Sequence, residues 1–186
     1  MSQPAGLFRS DLAFSTGNGE WETPQDFFDK LNAEFHFDLD VCATPQNAKC
    51  ATYFTREQDG LRMPWAPHRA FCNPPYGDPE QPCKRICTKK RCVKRGHHTS
   101  VYIPGIIDWM AKSRREAQQG ALVVCLVPSR TDTRWWHREI MGHAEIRFVE
   151  GRLRFGGAGH NNPAPFPSAV VIYRPPAGGT QPACRL

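Results

Sequence analysis

The chain has 186 residues, 40% of them hydrophobic and 23% charged, and carries a net charge of +6. That length allows one domain with a genuine core, and no run approaches the roughly 18 apolar residues of a membrane span. The positive balance favours a polyanionic partner.

In chain order, residues 1–19 read as a flexible arm, because Gly, Ser and Pro dominate and periodicity is weak. This start also lacks the basic opening and apolar segment of a secretory signal, so a cytoplasmic protein with reduced thiols is expected. "WETPQDFFDKLNAEF" reads as a helix. Thr23 can cap it, Pro24 suits its first turn, and Phe27, Phe28, Leu31 and Phe35 form its apolar stripe. "FDLDVCA" and "RAFCNPP" read as short strands, the second stopped by its prolines. "IIDWMAKSRREAQQG" is a helix closed by Gly120. "ALVVCLVPS" is a continuous apolar run of the kind found inside a parallel sheet. "DTRWWHREIMG" reads as helical, "HAEIRFVEG" and "GRLRFGG" as strands or strand edges, and "SAVVIYRPP" as the last strand. Strands alternating with helices imply an α/β domain over residues 20–174, with a loose Pro/Gly-rich tail at 175–186.

Residues 73–76, Asn-Pro-Pro-Tyr, follow a strand directly. Two prolines remove a backbone donor and stiffen the chain, so the segment is either a rigid turn or a fixed polar cup with an aromatic wall. A cup at this place has a chemical use. The exocyclic amine of adenine is a weak nucleophile because its lone pair is delocalised into the ring. The side-chain oxygen of Asn73 and the carbonyl of Pro74 can accept the two amine hydrogens and favour rehybridisation. Pro75 keeps the loop from relaxing, and Tyr76 can stack on a base rotated out of a duplex.

The motif resembles the signature of amino methyltransferases that use S-adenosylmethionine, and the chain resembles the phage-encoded DNA N6-adenine methyltransferases related to the Dam group. The resemblance runs over residues 21–173 through "WETPQDFFDKL", "FDLDVCATPQNAKCATYFT", "DGLRMPW", "FCNPPYG", "VVCLVPSRTDTRWW", "GRLRF" and "FPSAVVIY". It implies a Rossmann-like methyltransferase fold with S-adenosylmethionine as cofactor. It also implies that Trp21, Thr23 and Pro24 meet the methionine end of the cofactor, and that Asp40, with Cys42 beside it, receives the cofactor's ammonium. Asp59 would contact the adenosine, and Asn73 would lie at the junction of cofactor and base. The chain departs from the wider pattern after its first acidic strand, where "DVCATPQNAKC" contains no glycine.

Residues 78–103 interrupt the link from the Asn-Pro-Pro-Tyr loop to the next helix. They hold Cys83, Cys87 and Cys92 followed by His97 and His98, either of which completes a tetrahedral zinc set. A segment so short and polar cannot assemble a core, so a structural zinc could supply its folding energy; the alternative is a disordered basic loop. Lys84, Arg85, Lys89, Lys90, Arg91, Lys94 and Arg95 alternate with the ligands and would face outward to grip phosphates. By the resemblance, Arg130, Thr131 and Asp132 belong to the surroundings of the site. Of Trp135 and Trp136, one is expected to pack and one to line a pocket. Arg152 and Arg154 alternate with Leu153 and Phe155, which suits either DNA contact or a solvated face.

The expectation is a site-specific adenine N6-methyltransferase acting on double-stranded DNA, as a monomer or weak homodimer with no membrane association, in a bacterial host cell. Its rivals are a cytosine N4-methyltransferase and a DNA-binding module that has lost turnover.

Overall fold

The computed structural model describes residues 21–84, 87–96, 98–156 and 163–177. The N-terminal arm, and the tail beyond residue 177, lie outside the described residues. The helix expected first runs over Gln25–Phe35 (α1), with Phe28, Leu31 and Phe35 buried. Its N-cap is Pro24 rather than Thr23, and no side chain caps it. Thr23 is used elsewhere, as shown below. The chain then forms Leu39–Asp40 (β1), Thr52–Tyr53 (β2) and Arg69–Cys72 (β3), and the insert contributes a short helix, Lys90–Arg95 (α2). Ile106–Gln118 (α3) leads into Leu122–Pro128 (β4), followed by a π-helical turn at Trp136–Ile140, Glu145–Phe148 (β5) and Ser168–Tyr173 (β6). No described helix is long and apolar enough to cross a membrane.

The six strands form one sheet in the order β2-β1-β3-β4-β6-β5. The first four are mutually parallel. β6 runs antiparallel between β4 and β5, so the parallel surroundings expected for the apolar run at β4 hold on its β3 side only. The described residues of "GRLRFGG", 151–156, do not join the sheet; Gly156 makes a backbone bridge to Glu22.

Side chains alternate across the sheet as a period of two requires. Ala70, Cys72, Val123, Cys125, Val127, Val171 and Tyr173 face α3 and the π-helical turn. Phe71, Val124, Leu126, Val170 and Ile172 face α1. All seven residues of β4 are buried, which is why that stretch reads as one unbroken apolar run. The result is a mixed α/β sandwich, with each face of the sheet covered by helical or aromatic material.

A charged pair lies inside this packing. Glu116 on α3 accepts the Trp65 and Ala66 backbone N–H groups at 2.7 and 3.3 Å, and Lys112 one turn earlier donates to its other oxygen. Lys112 and Glu116 are 6% and 2% exposed, and the ammonium lies 5.5 Å from the Trp65 ring centroid. The pair fixes the segment between β2 and β3 to the back of the sheet.

From β1 the chain steps outward to β2, then returns to the other side of β1 as β3 and continues to β4. The direction of winding therefore switches between β1 and β3. Ligands of open α/β sheets bind at the carboxyl ends of strands at such a switch. Here those ends are Asp40 and Cys72.

Candidate active site

Asp40 ends β1 and is 3% exposed. Its Oδ1 accepts the Cys42 N–H at 3.3 Å and its Oδ2 accepts the Lys49 N–H at 3.0 Å. Burial pushes its pKa up, opposed by those two amides and by the charge of Lys49. The carboxylate thus folds residues 42–49 back onto the strand end, and Asn47 Oδ1 stiffens the loop by accepting the Thr44 N–H at 2.7 Å. Gly60 closes the floor. A Cβ there would sit 2.1 Å from the Val41 carbonyl oxygen, so no other residue permits the approach.

β3 ends in Cys72 and delivers Asn73 beside that loop. Asn73 Nδ2 donates to the Trp21 carbonyl at 2.6 Å and to Thr23 Oγ1 at 2.9 Å. Its Oδ1 accepts the Tyr76 hydroxyl at 2.6 Å. Burial holds the Tyr76 phenol well above its ordinary pKa, so it remains a donor at neutral pH. The Asn73 amide is therefore oriented by three contacts, with its oxygen held by the loop's own tyrosine. The Tyr76 ring meets Phe155 and Phe166 edge to face at 6.4 and 5.6 Å, and Trp21 meets the same two at 5.5 and 5.0 Å.

A cleft with about 970 Å³ of empty space, its open mouth included, joins the two strand ends. Trp21, Thr23, Asp40, Cys42, Asn73, Pro74 and Pro75 line it, so most of the residues expected to serve catalysis or the cofactor converge here. Three lie elsewhere. Pro24 caps α1, Tyr76 packs beside the cleft, and Asp59 takes a positive φ of 55° and accepts the Leu61 N–H at 3.2 Å. The lining also contains Glu22, Lys49, Phe54, Arg56, Gly60 and Trp109, which sequence reasoning missed. Glu22, Lys49, Phe54, Gly60 and Trp109 lie inside stretches quoted above, but none of them was given a role at the site.

The loop after β4 emerges on the same side, because β3 and β4 are parallel. Its Arg130, Thr131 and Asp132 are exposed. Trp135 and Trp136 are both buried, at 6% and 1% exposure, and pack edge to face at 5.6 Å. Neither is among the residues that line the cleft. Arg152 and Arg154 are exposed while Phe155 is buried, so the alternation survives without a strand ladder. Arg147 is engaged by Glu34 and Glu145 at 2.6 and 2.7 Å.

The insert leaves and rejoins the domain at one neck. Glu80 and Ile103 exchange backbone hydrogen bonds at 2.9 and 3.0 Å, and the Cys83 N–H bonds the Thr99 carbonyl at 2.8 Å. Above the neck, the ligand atoms of Cys83, Cys87, Cys92 and His98 all lie within 4.8 Å of one another. The sulfurs of Cys83 and Cys92 are 3.4 Å apart, and those of Cys87 and Cys92 3.7 Å. Thiolates at ~2.3 Å in a tetrahedron stand about 3.8 Å apart, so the spacing fits a metal of zinc's size. Burial raises the Cys83 pKa, but hydrogen bonds from Cys92, the Thr99 backbone, Cys87 and His98 outweigh it and bring the thiol to about 7. His97 and Arg85 lie outside the described residues, as do the side chains of Arg91, Lys94 and Arg95. Lys84, Lys89 and Lys90 are exposed.

A family model described as DNA N-6-adenine-methyltransferase (Dam) matches residues 13–178. The YfdM protein of Escherichia coli (strain K12) is 39% identical over 64 residues, 31% of this chain and 70% of that protein. A DNA N-6-adenine-methyltransferase of Escherichia phage T1 is 23% identical over 135 residues, 72% of this chain and 45% of the phage protein. The match thus spans less than half the length of the phage relative.

Proposed function

Because the chain belongs to the DNA N-6-adenine-methyltransferase (Dam) family, we propose that it transfers a methyl group from S-adenosylmethionine to N6 of adenine in double-stranded DNA. The observation that carries this reading is one cleft shared by Asn73-Pro74-Pro75 and the buried acid Asp40, at adjacent strand ends. The strand order, with one antiparallel strand inserted near an edge of the sheet, supports a Rossmann-like methyltransferase fold.

The donor set fits such a cofactor. Asp40 retains lone pairs for an ammonium, Phe54, Phe71 and Trp109 supply apolar walls, and Trp21 and Thr23 close one side. When bound, the cofactor supplies an activated methyl group. Asn73 Oδ1 and the Pro74 carbonyl accept the two hydrogens of the adenine amine, which turns the nitrogen lone pair away from the ring. An amide oxygen has two acceptor sites, so Asn73 Oδ1 can serve the amine while the Tyr76 hydroxyl holds it. Pro75 resists relaxation of the loop, and no strong base is needed because the proton is acidic once the nitrogen has become cationic. The aromatic group of Trp21, Tyr76, Phe155 and Phe166 offers stacking surface to an extruded base. We place S-adenosylmethionine, duplex DNA and a structural zinc on Cys83, Cys87, Cys92 and His98 as the ligands of a single domain. It acts in the cytoplasm as a monomer or weak homodimer.

Protein incubated with methyl-labelled S-adenosylmethionine is expected to label unmethylated duplex DNA and not RNA. Label in RNA alone would sink the substrate assignment. The exposed lysines of the insert should carry phosphate contacts, so DNA binding should weaken steeply with salt.

The insert provides a separate expectation. Wild-type protein should carry one zinc ion per chain by elemental analysis, and Cys87→Ser should release it and weaken DNA binding. S-adenosylhomocysteine binding should persist, since the neck is closed by backbone hydrogen bonds below the metal cluster. Unchanged metal content would remove Cys87 from the ligand set.

A further inference from the structure

The absence of glycine from residues 41–51 leaves a question about the cleft. A glycine-rich turn lets backbone amides approach a ligand closely; here the loop after the first acidic strand is built of residues with side chains. Lys49 is the cation that this loop brings to the cleft wall. Its side chain is only 8% exposed. Its ammonium donates to Gln25 Oε1 at 3.0 Å, while the Glu22 carboxylate stands 3.9 Å away, beyond hydrogen-bond length, and is 35% exposed. An ammonium has three donors, and one neutral amide with one carboxylate at 3.9 Å leaves it capacity for a further acceptor.

The main chain of the same residue is also engaged at the cleft. The Lys49 N–H is bonded to Asp40 Oδ2, so the backbone that carries the Lys49 side chain is anchored to the buried acid. Both line the same cleft. A carboxylate and an ammonium-bearing side chain on the lining of one cleft match in sign the two charges of an α-amino-acid zwitterion.

We propose that Lys49 receives the carboxylate of the cofactor's amino-acid end while Asp40 receives its ammonium. Side-chain charge thereby takes over the work of the missing glycine turn. This rests on the methyltransferase reading above and assigns a role in it to a residue that no sequence motif singled out. The competing role is purely structural, with Lys49 tying the loop to Glu22 and Gln25.

Calorimetric titration with two ligands separates these. S-adenosylhomocysteine carries both charges, and its decarboxylated analogue keeps the ammonium alone. Lys49→Met is expected to weaken S-adenosylhomocysteine about 10- to 100-fold, the range of a lost charge-assisted hydrogen bond. The decarboxylated analogue should bind wild type and variant within about twofold of each other, because the lost partner is absent from it. Lys49→Arg, which keeps the charge, should recover part of the loss, and melting temperatures of the unliganded variants report folding. Equal weakening of both ligands, or unchanged S-adenosylhomocysteine affinity, overturns the proposal while leaving the methyltransferase reading in place. If wild-type protein binds neither ligand, both fall together.

Discussion

Asn73→Ala is expected to lower methyl transfer by about 100-fold or more while duplex affinity changes little, because the proposed function assigns its acceptor oxygen to the reacting amine rather than to the bound duplex. Asn73 has a second task, however. Its Nδ2 holds the Trp21 carbonyl and Thr23 Oγ1, so alanine also loosens one wall of the cleft. Asn73→Asp separates the two roles. It keeps acceptor oxygens but removes both donors and introduces a charge that meets the Trp21 carbonyl unfavourably. If the acceptor matters most, the aspartate variant should retain more turnover than alanine, at a cost in cofactor affinity. Steady-state kinetics beside direct DNA and S-adenosylhomocysteine titrations measure this. Parallel loss of DNA affinity and turnover in Asn73→Ala would assign the residue to binding.

The largest effect on stability should come from Glu116→Ala, with an expected loss of about 3–5 kcal/mol in urea unfolding, the range found when one partner of a buried ion pair is removed. The variant leaves the Lys112 ammonium inside the sandwich and unties the Trp65 and Ala66 amides. Replacing both charges by well-packed apolar residues should recover much of the loss, since a paired charge and an apolar pair are often close in energy. The pH dependence has a defined sign. Burial pushes the Glu116 pKa up, but Lys112 and the two amides outweigh it and hold it below the ordinary value of 4.5. Its stabilisation is therefore fully present above that value and is lost as pH falls through the lower folded one. Wild-type protein should lose more stability than the doubly apolar variant on acidification below that point. Identical acid profiles would show that Glu116 does not contribute.

Residue by residue, what could be read from the sequence followed physical periodicity. Phe28, Leu31 and Phe35 announced α1, and the unbroken apolar run announced β4, because in both cases burial imposes a pattern. β2 escaped notice. It is two residues long, with Thr52 exposed and Tyr53 half-buried, so it leaves no alternation. α2 escaped for the opposite reason, since "KRCVKR" has no apolar stripe and is helical inside a segment tied by cysteines. Strand direction was also hidden, because an apolar residue packs equally well in either sense, and β6 turned out antiparallel. At the site, Asn73-Pro74-Pro75 stood out through the chemistry of two adjacent prolines. Lys49 and Arg56 did not, since a lone cation in a polar loop looks like a solvated one until the fold buries it. Thr23 looked like a helix cap and proved to be a partner of Asn73. That exchange depends on two segments fifty residues apart and has no local signature.

The central claim is that the loop at residues 73–76 acts on the exocyclic amine of adenine. Nucleoside mass spectrometry tests it most directly, on unmethylated duplex DNA incubated with zinc-loaded protein and S-adenosylmethionine, with Asn73→Ala alongside. N6-methyladenine is expected with wild-type protein and little or none with the variant. N4-methylcytosine in its place would contradict the choice of base, and the absence of any methylated base from protein that binds duplex DNA would contradict the enzyme itself.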